Sequence, residues 1–267
     1  MTGILPTCEV EKPWGRDTLP APFVERAGRR IGEIWFEPPA ELSQLLVKYI
    51  FTSEALSVQV HPSDAQKPGH GKEECWLIVD AAPGAKLGIG FEREVSAQEM
   101  RAAALGGSIE RLMTWHSVTP GDFFYIPANT VHAIGAGIGL IEVQQNSDVT
   151  YRLYDYGRPR DLHLEEAVAV ARGAPYDRAR CHKAIAPRGA STLVDGPLFR
   201  LDQVDGEPSP DVAARYGDAP LLVIPREGPV HLAGRELAAG GCGVADSLSE
   251  VEFSAYGVAL LAQPCAA

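Results

Sequence analysis

The sequence has few cysteines, and none of them stands in a pairing pattern. Its five cysteines are scattered over 267 residues and never form a Cys-x-x-Cys pair, which argues against a disulfide framework and a thiolate zinc site. No apolar run approaches the roughly 20 residues that cross a bilayer. The start of the sequence has no basic stretch leading into an apolar segment, as a secretory signal would have. These absences predict a soluble cytoplasmic chain with reduced thiols and no membrane partner.

The sequence also lacks an excess of positive charge. The formal net charge is −11, so nucleic acid and anionic membrane surfaces are poor general partners, because both attract clustered lysine and arginine. No basic recognition helix is apparent, which argues against a DNA-binding sensor. A small anionic substrate is still compatible with this charge, because a few local cations can overcome the overall sign.

Glycine and proline are plentiful instead, and they separate short apolar runs. The 27 glycines and 21 prolines are spread over the whole chain, a pattern typical of many short strands joined by turns. Helical signals are few. A capping box at Ser96 opens a helical segment that ends at Gly106, a short helix is expected over 109–115, and another is expected between 162 and 173. The sequence therefore predicts a mainly β fold with a few short helices.

A polar face is predicted on the strand-like segment 56–62 (LSVQVHP). Strand side chains alternate with period two, so Ser57, Gln59 and His61 share one face while valines occupy the other. A serine, an amide and an imidazole backed by aliphatic residues suit a polar pocket inside a barrel. A solvent-facing edge strand would produce the same alternation, so the segment alone leaves both interpretations open.

Two further segments supply side chains that bind metals. In 71–79 (GKEECWLIV) a charged turn leads into an apolar strand with Glu74 at its mouth. In 120–134 (PGDFFYIPANTVHAI) a turn, a buried strand and a second turn precede His132. Imidazole nitrogen and carboxylate oxygen are common zinc donors, and three or four such ligands with an open position make a catalytic site. With His61, these residues form a candidate metal site.

Together, these segments resemble the type I mannose-6-phosphate isomerases of the short bacterial kind, within the cupin superfamily. Segment 120–134 is similar to the second cupin motif, with Asn129 where that pattern usually has glycine. Generic cupins carry His-x-His, whereas this chain has Gln59 and His61 followed after a longer gap by Glu74, as phosphomannose isomerases do. The likeness covers about residues 10–160 and includes the further segments 10–15 (VEKPWG), 46–50 (LVKYI), 142–148 (EVQQNSD) and 150–155 (TYRLYD).

The resemblance implies a cupin (jelly-roll) barrel with one Zn²⁺ per chain. It also implies an aldose–ketose isomerase that interconverts mannose 6-phosphate and fructose 6-phosphate by proton transfer through a cis-enediol intermediate. The implied partner is thus a small-molecule sugar phosphate, and the chain is expected to be a monomer or a homodimer. The metal ligands implied by the resemblance are Gln59, His61, Glu74 and His132.

Isomerisation requires an electrophile, a base and an anchor for the phosphate. Arg152 falls where the family carries a catalytic arginine, and because a guanidinium does not readily lose its proton, its expected task is to stabilise the enediolate. The resemblance makes Glu142 a candidate for proton transfer, but a carboxylate that points inward from a strand would equally serve to orient Arg152 or a metal ligand. Lys72 and a metal-bound water are alternative bases. The resemblance places Lys48 and Ser57 near the phosphate. A lysine in an apolar run also needs a partner if it is buried, which favours a functional face. The other histidines are expected to be structural or on the surface: His70, His116, His163, His182 and His231.

Two other functions fit part of this pattern. Cupin-type glucose-6-phosphate isomerases perform the same chemistry on the epimeric aldose, but they carry the His-x-His form that Gln59 replaces. A non-catalytic sugar-binding cupin is the second alternative. The presence of all four candidate ligands together with Arg152 argues against a site that has lost its activity.

The chain length allows one large domain and one small one, since a single core stops growing at roughly 250 to 300 residues. We predict a metal-binding catalytic domain over 1–172, with a helical insertion around 96–116. A smaller cupin-like β domain is predicted over 191–267. Residues 173–190 are basic, contain proline and show no periodicity, and they are interpreted as the connection. The tail has no cluster of candidate ligands, so a metal site is not expected there.

Overall fold

The computed structural model describes residues 2–23 and 28–265. The outer ends of the two expected domains, Met1 and residues 266–267, lie outside this part of the chain, as do residues 24–27. Within the described part, the strands are β1 (Gly3–Ile4), β2 (Thr7–Arg16), β3 (Ile31–Phe36), β4 (Leu45–Phe51), β5 (Val58–Val60), β6 (Glu74–Ala81), β7 (Lys86–Phe91), β8 (Met113–Ser117), β9 (Asp122–Ile126), β10 (His132–Ile134), β11 (Ile138–Gln145), β12 (Tyr151–Tyr154), β13 (His182–Ala184), β14 (Ser191–Asp195), β15 (Phe199–Asp205), β16 (Leu221–Glu227), β17 (Val230–Leu232), β18 (Arg235–Leu237), β19 (Gly243–Ala245), β20 (Val251–Phe253) and β21 (Val258–Pro264). The helices are α1 (Ala97–Leu105), α2 (Leu164–Val170), α3 (Arg178–Cys181) and α4 (Pro210–Tyr216), with 3-10 turns at Ala40–Leu42, Ile109–Arg111 and Leu248–Glu250. The predicted mainly β fold with a few short helices is confirmed.

Two antiparallel sheets form a jelly-roll barrel. One sheet has the strand order β13-β9-β6-β11-β4-β3-β2, and the other has the order β12-β5-β10-β7-β8. Side chains alternate along β4, so that Lys48 and Ile50 face the barrel interior while Val47 and Tyr49 pack on the outer face. Apolar side chains around Trp76 fill part of the interior. The remaining interior is polar and holds the site described below.

A second pair of sheets covers the outer face of the seven-stranded sheet. The six-stranded sheet has the order β1-β19-β16-β21-β15-β14, and it packs through Leu201 and Ile224 into one apolar cluster with Val47 and Tyr49. Its other face forms a separate core with the three-stranded sheet β18-β17-β20, in which Leu232 is buried. Because β1 pairs with β19, the first strand of the chain lies in a sheet otherwise built from residues after 190.

The two helices predicted from capping and periodicity are present. In α1, the Ser96 hydroxyl accepts a hydrogen bond from the Glu99 amide at 3.1 Å, and the helix ends before Gly106. Gly107 has φ +67°, a conformation that glycine adopts without a steric penalty. Helix α2 occupies the middle of the segment expected between 162 and 173. Among the described residues, no helix is long and apolar enough to span a membrane.

The helix predicted over 109–115 is wrong. Only Ile109–Arg111 forms a single 3-10 turn, and the chain then enters β8, which pairs with β7 at the edge of the five-stranded sheet. The sheet edge supplies hydrogen-bond partners for the backbone, whereas so short an isolated helix is marginally stable. The expected connection 173–190 also contains regular structure, because β13 pairs with β9 as an edge strand.

Candidate metal centre and its adjoining cavity

The five-stranded sheet carries a row of polar side chains into the barrel. Gln59 in β5 has His132 of β10 as its direct partner on one side and Arg152 of β12 on the other. His61 follows Gln59 by two residues and therefore shares its face. His61 and Ser57 are only 1% and 4% exposed. The polar face of segment 56–62 thus points into the barrel, and the solvent-facing alternative is wrong.

The seven-stranded sheet faces this row with a second one. Glu142 in β11 lies directly opposite Lys48 of β4 and Trp76 of β6. Two residues further along β11, Gln144 lies opposite Glu74, and residues two apart on a strand share a face. The barrel interior therefore brings imidazoles from one sheet together with a carboxylate from the other.

His61, Glu74 and His132 form a compact group in which one donor atom of each lies within 4.8 Å of the others. The carboxylate oxygens of Glu74 are 3.5 Å from His61 Nε2 and 3.4 Å from His132 Nε2. Each imidazole has its Nδ1 2.9 Å from a backbone carbonyl, that of Val149 for His61 and that of Thr130 for His132. Because a carbonyl can only accept, both Nδ1 atoms donate, and both Nε2 lone pairs face the group.

Burial and the neighbouring Lys72 charge set the protonation states of these three ligand candidates. Burial, assisted by Lys72, lowers the pKa of His61 well below its usual value, and burial also lowers the pKa of His132. Burial alone would raise the pKa of Glu74, but neighbouring groups, the Lys72 ammonium first among them, outweigh it, and the net shift of the Glu74 pKa is downward. At neutral pH the group consists of two neutral imidazoles and a carboxylate, which is the state that metal binding requires.

The group fits a divalent metal ion. Glu74 Oε1 is buried and accepts no hydrogen bond, which is costly unless a positively charged group compensates for it. Two imidazole nitrogens and a carboxylate oxygen form a donor set that zinc accepts. The Gln59 side-chain amide adjoins the group, with its Nε2 3.2 Å from His132 Nε2. A flip of that amide exchanges its nitrogen for its oxygen, which is a possible fourth donor.

The Lys72 ammonium contacts the same donors. Its Nζ is 2.7 Å from Glu74 Oε2 and 3.2 Å from His61 Nε2. Burial lowers the pKa of Lys72, but the charges of Glu74 and Glu142 outweigh it, so the net shift is upward. Lys72 is therefore charged at neutral pH in this structure. Two of the three donor residues, Glu74 and His61, thus contact a positive charge.

A cavity of about 490 Å³ adjoins the metal centre, and Gln59 and Lys72 line both. Its walls carry five cationic side chains against three carboxylates, so the cavity is locally positive although the whole chain carries a net charge of −11. Ser57 also lies on its wall. The cationic side chains are Lys12, Lys48, Lys72, Arg152 and Arg160.

Lys48 and Glu142 are held together within this cavity. Lys48 Nζ lies 3.1 Å from Glu142 Oε1, and Trp76 Nε1 donates a hydrogen bond of 3.0 Å to Glu142 Oε2. The Lys48 ammonium also lies 5.0 Å from the centroid of the Trp35 ring, within the range of a cation–π interaction. The expectation that a lysine in this apolar run requires a partner is confirmed.

Arg152 lies on the cavity wall with part of its guanidinium free. Its Nη1 donates to the Asp161 carbonyl at 2.5 Å, whereas its Nε is buried and donates to no described atom. Burial, together with the neighbouring Arg160, lowers the pKa of Arg152. The Arg160 guanidinium forms two hydrogen bonds with the Asp155 carboxylate, of 2.6 and 2.7 Å.

The structure brings to the cavity three residues that sequence reasoning missed, Lys12, Arg160 and His163. His163 was expected to be structural or on the surface, and its Nδ1 accepts a hydrogen bond from the Arg152 amide. Lys12 lies within segment 10–15, which resembles the family, and this resemblance could have identified it as a site residue. Arg160 and His163 follow segment 150–155 without a motif of their own.

The two facing sheets and the buried donor group define a cupin-type barrel with a candidate metal centre. No family model matches the chain. The chain is 37% identical over 180 residues to the mannose-6-phosphate isomerase of Streptococcus mutans, an alignment that covers 63% of this chain and 57% of that protein. The chain spans little more than half the length of the curated relatives it matches.

Solved structures share the fold over the whole chain. The crystal structure of the mannose 6-phosphate isomerase from Bacillus subtilis superposes with a TM-score of 0.79 at 24% identity, covering 98% of this chain and 99% of that one. A zinc-bound mannose 6-phosphate isomerase superposes with a TM-score of 0.71 at 14% identity, covering 99% and 100% of the two chains. The predicted cupin fold and the resemblance to mannose-6-phosphate isomerases are confirmed.

Proposed function

We propose that this chain is a zinc-dependent isomerase that interconverts mannose 6-phosphate and fructose 6-phosphate through a cis-enediol intermediate. The observation that carries the proposal is the buried group of His61, Glu74 and His132 beside a cavity that is locally positive in an acidic protein. A phosphorylated sugar needs such a cavity, because its phosphate must be matched by local cations. The similarity to named mannose-6-phosphate isomerases supports the same substrate.

One zinc ion would be held by His61, Glu74 and His132, with the amide oxygen of Gln59 as fourth ligand. When bound there, zinc supplies a Lewis acid that polarises the substrate oxygens. The Lys72 ammonium must then leave the donors, because two positive charges repel each other at this distance. Lys72 lines the cavity, so its side chain can turn towards the substrate.

The cavity residues divide the remaining tasks. Lys48 and Ser57 are proposed to bind the phosphate, in keeping with their shared cavity wall. Arg152 is proposed to stabilise the negative charge of the enediolate, and its buried, unpaired Nε is a donor available for a substrate oxygen. Glu142 is proposed to transfer the proton between the two carbons. Its Oε1 is paired with the Lys48 ammonium and its Oε2 accepts from Trp76 Nε1, so both contacts fix the orientation of its carboxylate.

The experiment is a direct assay of fructose 6-phosphate formation from mannose 6-phosphate, with glucose 6-phosphate tested in parallel. Activity that chelation abolishes and zinc restores is the expected result. H132A should lose both zinc and activity, while H231A, which removes a histidine from β17, should keep both. Conversion of glucose 6-phosphate alone would favour the epimeric isomerase. If the zinc-loaded protein converts neither sugar, a non-catalytic sugar-binding cupin is the remaining alternative.

The role of Arg152 has its own test. R152K keeps a positive charge but removes the planar fork, so we expect kcat to fall by about 10²–10³, as when a single donor to a developing anion is lost. Zinc content measured by atomic emission should be unchanged, since Arg152 contacts none of the three donors. A variant with normal kcat would refute the proposed role.

The division of the chain and its setting form part of the proposal. We propose a catalytic unit over 1–172, a connection over 173–190 and a smaller β unit over 191–267. Two separate apolar cores, one inside the barrel and one between the six- and three-stranded sheets, support two units. We further propose a cytoplasmic location and a monomeric or dimeric state, which fractionation and sedimentation would test.

A further inference from the structure

A second cavity, of about 540 Å³, lies on the outer face of the seven-stranded sheet. Phe123 and Tyr125 of β9 face this outer cavity, whereas Phe124 and Ile126 alternate into the barrel core. The sheet therefore separates the outer cavity from the metal centre. Its other walls come from residues 172–183 and from β14 with the turn that follows it.

Three cationic side chains line the outer cavity without a carboxylate partner. Among residues 2–23 and 28–265, the guanidinium groups of Arg172 and Arg180 form no hydrogen bond and no ion pair. The Lys183 ammonium donates only to two backbone carbonyls, those of Thr192 at 2.8 Å and Leu193 at 3.2 Å. All three cationic side chains are exposed, so an incoming ligand can reach them.

The three acidic side chains on the same walls are already engaged. Glu73 accepts a hydrogen bond from the Tyr125 hydroxyl. Asp177 caps α3 by accepting from the Arg180 amide at 3.2 Å, and Asp195 pairs with Arg215 at 2.9 Å. Among the described residues only Asp195 is neutralised by a cation, because the hydrogen bonds to Glu73 and Asp177 come from neutral groups. The three cations of the outer cavity therefore exceed the two remaining carboxylate charges, and this small positive excess favours an anionic ligand.

Aromatic and apolar side chains line the same cavity as these cations. The Tyr176 hydroxyl lies 2.8 Å from the Tyr125 carbonyl and 3.0 Å from the Cys181 carbonyl, so its ring is held in place. Phe123, Leu193 and the ring of Tyr125 add further apolar surface. Fixed aromatic rings favour the stacking of a planar group.

We propose that the outer cavity, which Arg172 and Arg180 line together with the aromatic side chains of Tyr125 and Tyr176, binds a small phosphorylated metabolite that carries a planar ring. Arginine recognises phosphate through paired hydrogen bonds, and the aromatic wall recognises the ring. A volume of about 540 Å³ is that of an ordinary small-molecule site, and it accommodates a mononucleotide. This site is independent of the isomerase proposal, since it shares no side chain with the metal centre or its cavity.

The test is calorimetric titration of the full, zinc-loaded chain with three probes. Adenosine 5′-monophosphate carries both the ring and the phosphate, adenosine lacks the phosphate, and inorganic phosphate lacks the ring. We expect one molecule of the monophosphate to bind per chain, at least tenfold more tightly than either partial probe. R172A/R180A should weaken that binding at least tenfold, while R235A, which removes an exposed arginine from β18, should not change it.

A third variant separates the outer cavity from the site inside the barrel. K48A removes a cation of the inner cavity, and binding of the monophosphate should be unchanged in it. No binding of the monophosphate, or binding that K48A removes and R172A/R180A does not, would overturn the proposal. If inorganic phosphate bound as tightly as the monophosphate, the outer cavity would be a site for anions in general, and the proposal that it recognises a ring would be overturned. The parent and the three variants are also assayed for isomerase activity. Failure of the proposed isomerase function is therefore distinguished from failure of the monophosphate to bind.

Discussion

The ion pair between Lys48 and Glu142 permits a quantitative test of how the cavity is held together. Two variants each remove one charge with little change in side-chain volume, K48M and E142Q, and a third combines them. K48M leaves the Glu142 carboxylate in place, and E142Q keeps a carbonyl oxygen that can still accept from Trp76 Nε1, so the tryptophan hydrogen bond is preserved in all three variants. The comparison therefore isolates the pairing of the two charges.

The expected magnitude follows from burial. Glu142 is 3% exposed and the Lys48 side chain is 11% exposed, and removal of one partner of a buried ion pair costs about 3–5 kcal/mol. Because the pair borders a cavity that water enters, we expect the lower end, about 3 kcal/mol for each single variant. The double variant leaves no unpaired charge, so we expect it to lose no more than either single variant. The loss of stability in the double variant would thus be about 3 kcal/mol smaller than the sum of the two single losses.

The assay is urea unfolding followed by tryptophan fluorescence, since Trp35 and Trp76 both flank the pair. With a slope of about 3 kcal/mol per molar urea, each single variant should lower the unfolding midpoint by about 1 M, at unchanged slope. The double variant should have a midpoint close to those of the single variants. Additive losses, with the double variant about 2 M below the parent, would show that the two charges do not stabilise each other.

Three further predictions concern stability. Zinc at a thousandfold excess over its dissociation constant should stabilise the chain by about 4 kcal/mol, raising Tm by roughly 8–16 °C in a calorimetric scan; an unchanged Tm would contradict a folded-state zinc site. D202A should lower the free energy of unfolding in urea by about 3–5 kcal/mol, because this buried carboxylate pairs with Arg215 at 3.0 Å. D195A removes the exposed partner of the same arginine and should lower the free energy of unfolding by less than about 1 kcal/mol. Equal losses in the two variants would contradict this prediction. Burial raises the pKa of Asp122, but hydrogen bonds, the first from the Thr119 amide, lower it overall, so its folded-state pKa lies below the unfolded one. The stabilisation from Asp122 should then be complete above its ordinary pKa of about 3.9 and fall as the pH drops through the folded-state pKa. The parent should therefore exceed D122N in free energy of unfolding by less at pH 3 than at pH 5, and a difference that does not shrink would refute this.

The sequence predicted those parts of the site that depend on local pattern. Alternation over five residues is enough to place Ser57, Gln59 and His61 on one face, because the period of a strand is a property of the backbone. The need of Lys48 for a partner followed from the cost of burying a charge in an apolar run. The helix cap at Ser96 is also local, since donor and acceptor are three residues apart.

The remaining features depend on contacts between distant segments, which a single sequence does not encode locally. Arg160 and His163 reach the cavity because the chain after β12 folds back over the barrel. Lys12 arrives from β2, far away in the sequence. Residues 113–117 become a strand because β7 offers them a sheet edge, whereas their own pattern equally fits a short helix. The contact of Lys72 with two ligand candidates likewise depends on how two sheets face each other.

The register of β11 constrains how this chain can change in length. β11 lies between β4 and β6, and a shift of one residue would turn the Glu142 carboxylate out of the barrel and replace it with Ile141 or Val143. The pairing with β6 is irregular at one point, where Gly139 and Leu140 oppose Asp80 and Ile78, so that Val79 is an extra residue. A bulge of this kind absorbs one inserted residue without moving the strand beyond it. Insertion or deletion of a single residue is therefore tolerable at Val79 or in the turns. Inside β11, only the insertion or deletion of two residues keeps each side chain on the same face of the sheet.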